Sequence, residues 1–393
     1  MQQRIPASSR PGWEPFWSLS LNNNRVGVFM KKLIQFGCLL ATAVCFAFNA
    51  EAKPLKVNMG YIFTTHHTPF IAAMSENENF EKFGVHLESV VPKQKYDLYQ
   101  AGKRLARLNI VVSKSGSETS TLFAQNRLDI GLASITAMLT GIDRGNGVKI
   151  LCPTHVDGMG LVFPKGSKIK GWDDVSAVIE SSKQPVKVGY HSPTSAPRMV
   201  IEGALRQAGL TVTQDFSQQD ADVLLVDLKS TSNLIPALVS KQVDCWVGPA
   251  PYPEVAEIKG VGHIGLDLRN LSPQGQWHNF PCCVMAGTER MIAKHPEVVQ
   301  ALVQLMTKSA AWCNEHPAKV AQIMANWIGV PAEAVKRSSI IYTTEPTEHW
   351  KQGVDMFLDM LNSMDKFKAK LKDKNLSQIE DVVFDFRFTE KNN

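Results

Sequence analysis

The side chains most able to do chemistry in this sequence are few and clustered. They are the pair His66-His67, the pair Cys282-Cys283, the lone His155, and three hydroxyl-rich stretches: Ser115-Gly116-Ser117, Ser134-Ile135-Thr136 and Ser192-Pro193-Thr194-Ser195-Ala196. Imidazoles and thiols serve nucleophilic catalysis and soft metals, whereas hydroxyls at the bare N–H groups of a helix start suit an oxyanion. Neighbouring residues of an extended loop point in different directions, so His66 and His67 are not expected to share one ion; capping or a hydrogen bond to a ligand is the expectation. Cys282-Cys283 sits on an apolar strand with no basic neighbour in sequence, which favours packing over reactivity. No metal site and no cofactor are expected. His155 reads equally as a ligand contact or an exposed crossover residue, and Arg198 as an aid to an anion or a surface residue.

The elements that must position these groups repeat. Thr121–Gly131 (TLFAQNRLDIG) aligns without a gap to Pro236–Trp246 (PALVSKQVDCW), and each copy ends in a small or proline-rich loop, Ala133-Ser134 against Gly248-Pro249. Each has an upstream strand, Leu55–Tyr61 for the first and Val186–Tyr190 for the second. Two copies of a helix–turn–strand unit imply two similar lobes, with ligands bound beyond the carboxyl ends of parallel strands. Elsewhere, Phe70–Phe80 reads as a helix, Lys82–Val91 as a strand after Gly84, and Lys93–Ile110 as a basic, partly helical passage over one rim of the cleft. Strands are expected at Val148–Cys152, Ala221–Leu228, Val243–Val247, Gly260–Asn270 and Gln276–Met285, and mostly helix from Pro296 to Met364.

The amino-terminal residues read differently. Met30-Lys31-Lys32, an apolar run to Phe48 and Ala50-Glu51-Ala52 form a secretory signal, with residues 1–29 a mis-assigned upstream extension and Lys53 the first mature residue. Removing residues 1–52 leaves 37 basic against 35 acidic residues, a formal +2 in place of +5. That balance, without a basic cluster interleaved with aromatics, gives no support for nucleic-acid binding. Five cysteines remain, an odd number in apolar contexts, so no disulfide framework is expected.

In order and spacing, NRLDIGLAS, VKILCPT, GLVFPKGSKIKGWDDV, VKVGYHSPTSAPRMVIEGALRQAGL, KQVDCWVGPAPYPEVA and ERMIAKHPEVVQALV make the chain resemble the periplasmic solute-binding proteins of ABC transporters, in the family of nitrate, sulfonate, taurine and thiamine-pyrimidine binders. The resemblance implies an α/β fold: a two-lobed periplasmic binding protein (type II) with two crossovers and a C-terminal helical segment. It places lobe 1 at 53–154 and 270–393 and lobe 2 at 155–269. It maps ligand contacts onto Thr64, Thr65, His66 and His67; Ser115, Gly116 and Ser117 with Ser134, Ile135 and Thr136; His155; Ser192, Thr194, Ser195 and Ala196; and Pro249 and Tyr252. Glu118 departs from the family pattern and would repel an anion.

The function so implied is capture of a small solute by a periplasmic, non-enzymatic monomer, which delivers it to an inner-membrane permease driven by a cytoplasmic ATPase. The chain has no phosphate-binding Gly-x-x-x-x-Gly-Lys-Ser/Thr loop of its own. An oxyanion is the favoured solute, or a flat ring if Tyr252, Trp246 and Trp277 reach the cleft. The rivals are a cleft enzyme of the same fold group, desulfinase-like or thiamine-pyrimidine-synthase-like, using Cys282, Cys283, His66 and His155, and a chemosensory module.

Overall fold

The computed structural model describes residues Pro54–Thr389. The expected upstream extension, signal and cleavage site lie outside the described residues. In chain order the strands are β1 Leu55–Ile62, β2 Val85–Val91, β3 Lys95–Gln100, β4 Lys103–Ser113, β5 Ile130–Ser134, β6 Val148–Val156, β7 Met159–Pro164, β8 Val186–Tyr190, β9 Val212–Thr213, β10 Val223–Asp227, β11 Cys245–Pro249, β12 Gly262–Asp267, β13 Pro281–Thr288 and β14 Ile341–Tyr342. They form two mixed sheets. The larger has the order β14-β6-β13-β5-β1-β4-β3-β2 and the smaller β12-β7-β11-β8-β10-β9. Each sheet with its helices makes one lobe. The chain passes from larger to smaller at Asp157-Gly158 and returns through residues 268–280.

The repeat is a structural one. β1 pairs in parallel with β5, and β8 with β11, through matching registers. In the larger sheet Asp129 donates its N–H to Asn58 O at 3.0 Å, and its carboxylate accepts the Asn58 N–H at 2.9 Å. In the smaller sheet Asp244 brackets Lys187 in the same way, at 2.9 and 2.8 Å. The strand glycines match too. A Cβ on Gly60 would meet Leu128 at 2.7 Å, and one on Gly189 would meet Leu228 at 2.7 Å and Val243 at 3.2 Å, so a side chain at either would force the packed leucine to move.

One expected element is wrong. Lys93–Ile110 is not partly helical: β3 and β4 form an antiparallel hairpin between β1 and the edge strand β2 of the larger sheet. Its turn, Ala101-Gly102, has φ of 48° and 75°, the paired positive values of a tight hairpin. The core side of the hairpin alternates, with Tyr96, Leu98, Ala106 and Leu108 buried. Leu105 beside Ala106 and Leu108 imitates a helical spacing and hides that period of two.

Among the helices, Pro296–Glu315 presents Val298, Val299, Leu302, Leu305, Met306, Ala310 and Cys313 as one buried stripe over the larger sheet. No helix among the described residues is long and apolar enough to cross a membrane.

The paired aspartates differ in burial and load. Asp129 is 9% exposed and also binds Arg290 at 2.8 Å, whereas Asp244 is exposed. Asp129→Ala is therefore expected to cost about 2–3 kcal/mol and Asp244→Ala about 1 kcal/mol, in urea unfolding of the single variants. Equal costs would contradict this account of the bracket.

Candidate functional site

Both sheets aim strand ends at one interlobe cavity. From the larger sheet it is lined by Ile62, Thr64, His66 and His67 after β1, Lys114, Ser115 and Gly116 after β4, Ser134 at the end of β5, and Cys282 and Cys283 on β13. From the smaller come His191 after β8, Ser195, Ala196 and Pro197 beyond it, Thr231 after β10, and Pro249 at the end of β11. The cavity measures about 40 Å³, room for an ion or a few waters at most.

Three helix starts face this space. Helix Gly116–Ala124 begins at Ser115, whose hydroxyl accepts the Glu118 N–H at 3.3 Å. The Glu118 carboxylate reaches back to accept the Lys114 N–H at 2.5 Å, one residue before the cap, so it is spent on the backbone of its own helix start. Helices Ile135–Asp143 and Ala196–Gln207 begin at Ser134 and Ser195, neither of which caps its own helix by a side-chain bond. Their first N–H groups carry the partial positive charge of the helix ends.

His66 and His67 diverge, as expected, and do different work. His67 Nδ1 accepts the Ile62 N–H at 2.9 Å, which puts the proton on Nε2. That buried Nε2–H has no hydrogen-bond partner among the described residues, on a residue that lines the cavity. His66 Nε2–H donates to Gly158 O at 3.0 Å, which leaves Nδ1 as an acceptor 3.4 Å from Cys282 Sγ and 3.8 Å from Cys283 Sγ. Burial and the adjacent His155 ring lower His66 to about 4, so the imidazole is neutral near pH 7.

Cys282 and Cys283 are consecutive strand residues, which ordinarily point to opposite faces. Register shifts in the β13–β6 pairing, between Pro281 and Cys283 and again between Cys283 and Val284, break that alternation, and both thiols come to His66. Their protons are unequally held. Burial opposes ionisation of Cys283, but its neighbours Cys282, His155 and His66 outweigh it and hold that thiol well below the ordinary range. Burial and the neighbouring Cys283 push Cys282 well above it.

Of the expected site residues, Thr64, His66, His67, Ser115, Gly116, Ser134, Ser195, Ala196 and Pro249 line the cavity. Ser117, Thr136, Ser192 and Thr194 instead tie the lobes together beside it. Ser134 and Thr136 hydroxyls donate to Thr194 O at 3.0 and 2.7 Å, and Ser117 Oγ lies 2.9 Å from Ser192 Oγ and 2.8 Å from Thr194 Oγ1. Thr64 adds a bond to Ala250 O at 3.2 Å. Thr65 is buried, with its carbonyl accepting from Tyr342 OH, and Ile135 belongs to the core. Tyr252 turns away to accept from the Thr231 hydroxyl, and Trp246 and Trp277 are core residues, so no flat-ring platform forms. His155 is not an exposed crossover residue: it is fully buried on β6, its ring centroid 4.1 Å from that of His66. Arg198 is neither surface nor cavity; buried over the Tyr190 ring and paired with Glu202, it donates to Pro193 O and holds the Ser192–Thr194 loop. Sequence reasoning missed Ile62, Lys114, His191, Pro197 and Thr231 as lining. All but Pro197 lie at or just past strand ends, the one signal that marks them.

A periplasmic binding protein fold is what this pair of mixed sheets with a cleft at the strand ends defines. Solved structures agree on the fold. They include a ligand-binding component of an ABC-type import system from Staphylococcus aureus, with zinc bound (TM-score 0.64, 14% identity, covering 86% of this chain and 99% of that one). They also include the alkanesulfonate-binding protein SsuA of Xanthomonas axonopodis pv. citri, bound to MOPS (0.61, 14%, 85% and 99%). A third is the periplasmic nitrate-binding protein NrtA of Synechocystis (0.61, 16%, 86% and 87%). Residues 50–329 match the NMT1-like family, and the chain belongs to that family. An uncharacterized protein of Methanocaldococcus jannaschii, MJ1180, is 27% identical over 142 residues, which are 35% of this chain and 98% of that protein.

The opposite side of the lobe contact carries charge. Helix Tyr252–Ile258 abuts helix Ala332–Arg337, and Arg337 binds Glu257 at 2.6 Å. Burial, with Asp267 and Glu257 nearby, pushes Glu254 up to about 7, against the pull of its backbone N–H and of Arg337. The folded protein thus keeps a proton that the unfolded chain releases near 4.5. The stability this gives is full below pH 4.5 and is lost as pH rises through 7. Relative to Glu254→Gln, the wild type is expected to lose up to about 3 kcal/mol across that window, read as diverging unfolding midpoints; parallel curves would refute the assignment.

Proposed function

We propose that this protein is the solute-capturing component of an ABC importer, which closes its two lobes on a small inorganic oxyanion and presents the closed form to a membrane permease. The supporting observation is the cavity itself: about 40 Å³, faced by three helix starts and by the unpartnered Nε2–H of His67. Those are neutral donors for a delocalised anion, with Lys114 the cation among the lining residues. The volume favours a nitrate-sized ion over an alkanesulfonate or a pyrimidine. Lobe rotation would occur at Asp157-Gly158 and residues 268–280, with the lobes taken as 53–154 plus 270–393 and 155–269. A periplasmic location and a monomeric state accompany this reading.

A second reading, a cleft enzyme, is favoured by one observation: Cys283 lies against His66 in the cavity wall. It predicts turnover that Cys283→Ser abolishes.

The test is thermal unfolding against nitrate, sulfonates, carboxylates, amino acids and pyrimidines. A cognate anion at about a hundred times its Kd adds roughly 2.7 kcal/mol, a shift of a few degrees. Ser134→Ala with Thr136→Ala, which removes both hydroxyls from Thr194 O, is expected to weaken that anion about tenfold or more through the closing equilibrium. A panel in which only pyrimidines stabilise would replace the oxyanion reading, and one without any shift would sink the capture reading.

A further inference from the structure

We propose that His66, His155, Cys282 and Cys283 bind one d10 metal ion of borderline-soft character, Zn²⁺ or Cu⁺, in the wall of the cleft. One donor atom from each of the four residues lies within 4.8 Å of all the others, and the four are buried. Two imidazoles and two thiols, with no carboxylate among them, suit these ions and exclude Mg²⁺ and Ca²⁺.

The separations from His66 to the two sulfurs fit a tetrahedron, and the other donors lie within reach of it after a small inward shift. Bonds of about 2.3 Å to sulfur and 2.0–2.1 Å to nitrogen place the donors of a tetrahedral ion roughly 3.3–3.8 Å apart. His66 Nδ1 stands 3.4 and 3.8 Å from the two sulfurs. Both rings are also held as metal-binding imidazoles are, by a carbonyl on the other nitrogen. His66 Nε2 bonds Gly158 O at 3.0 Å, and His155 Nδ1 bonds Val156 O at 3.3 Å. His155 Nε2, fully buried, is then left with no hydrogen-bond partner among the described residues.

Charge points the same way. Two thiolates and Zn²⁺ sum to zero, the condition a buried low-dielectric site demands, whereas Cu⁺ would leave one negative charge, so neutrality favours zinc of the two. Four protein donors also fill a tetrahedral ion, so the ion is a resident clamp and not transported cargo. It would tie the loop after β1 to β6 and β13, the two strands that lead into the chain crossings. The other described cysteines, Cys152, Cys245 and Cys313, are buried without such a donor set, and they provide the control.

The experiment uses the purified full chain, reduced and stripped with a chelator, and needs no solute. Zn²⁺ and Cu⁺ are titrated separately against chromophoric chelators, and Co²⁺ is added as a spectroscopic substitute. One ion per chain is expected, with a thiolate-to-cobalt charge-transfer band and the intense visible bands of tetrahedral Co²⁺. Cys282→Ser, Cys283→Ser and His155→Ala each lower affinity at least about 100-fold, and Cys313→Ser leaves it unchanged. Circular dichroism checks the fold of each variant; should His155→Ala not fold, the cobalt spectra of the serine variants decide. Equal affinity of wild type and the Cys282→Ser/Cys283→Ser double variant, or a weak octahedral cobalt spectrum, overturns the proposal.

Discussion

The architecture depends on one contact between the two passages of chain that join the sheets. Asp157, 2% exposed and at a φ of 63°, donates its N–H to Phe280 O at 3.2 Å and accepts the Phe280 N–H on its carboxylate at 3.0 Å. Burial raises the Asp157 carboxyl, and the N–H groups of Phe280 and Asn279 pull it back. An aspartate in this position satisfies two strands that have just left their sheets and have no ladder to join. His155 lies two residues before it and Cys282 two after Phe280, while Gly158 follows it directly. A Cβ on Gly158 would meet Ile340 at 2.4 Å and His66 at 3.3 Å, so the passage can run this close to the imidazole only as glycine.

Beside the apolar packing of helix Ala196–Gln207 on helices Ile135–Asp143 and Glu348–Ser363, two kinds of polar contact join the lobes, and their energies differ. Around the cavity they are hydroxyls meeting carbonyls or other hydroxyls, each contributing about 1 kcal/mol net. On the far side an Arg337–Glu257 pair and the buried Glu254 carry charge. The direct lobe-to-lobe bonds around the cavity are thus uncharged, which leaves Lys114 the cation among the lining residues.

Much of the fold could be read from residue types. The Asp129 and Asp244 copies announced a repeat because a carboxylate after a turn and before an apolar run has one useful partner, the backbone of the neighbouring strand. Hydroxyl clusters after strands marked Ser115, Ser134 and Ser195 for the same local reason. What could not be read is whatever depends on a neighbour distant in sequence. The shifted register at Cys282-Cys283 is set by pairing with β6, and only that shift turns two divergent thiols toward one imidazole. The burial of His155, the diversion of Tyr252 to Thr231 and the role of Arg198 likewise depend on tertiary neighbours. The β3–β4 hairpin was missed because a few leucines and an alanine imitate helical spacing, while the turn that decides the matter, Ala101-Gly102, is only two residues long.

The strand order also determines when each half of the molecule can be completed as the chain is made. Every strand of the smaller sheet lies between Met159 and Asp267, so that sheet has all its members early. The larger one does not, because β13, residues 281–288, occupies the lane between β5 and β6. Until it arrives, two apolar strands face each other across an unfilled gap with unpaired backbone edges, the kind of surface that invites the wrong partner. The half that begins first is therefore finished last.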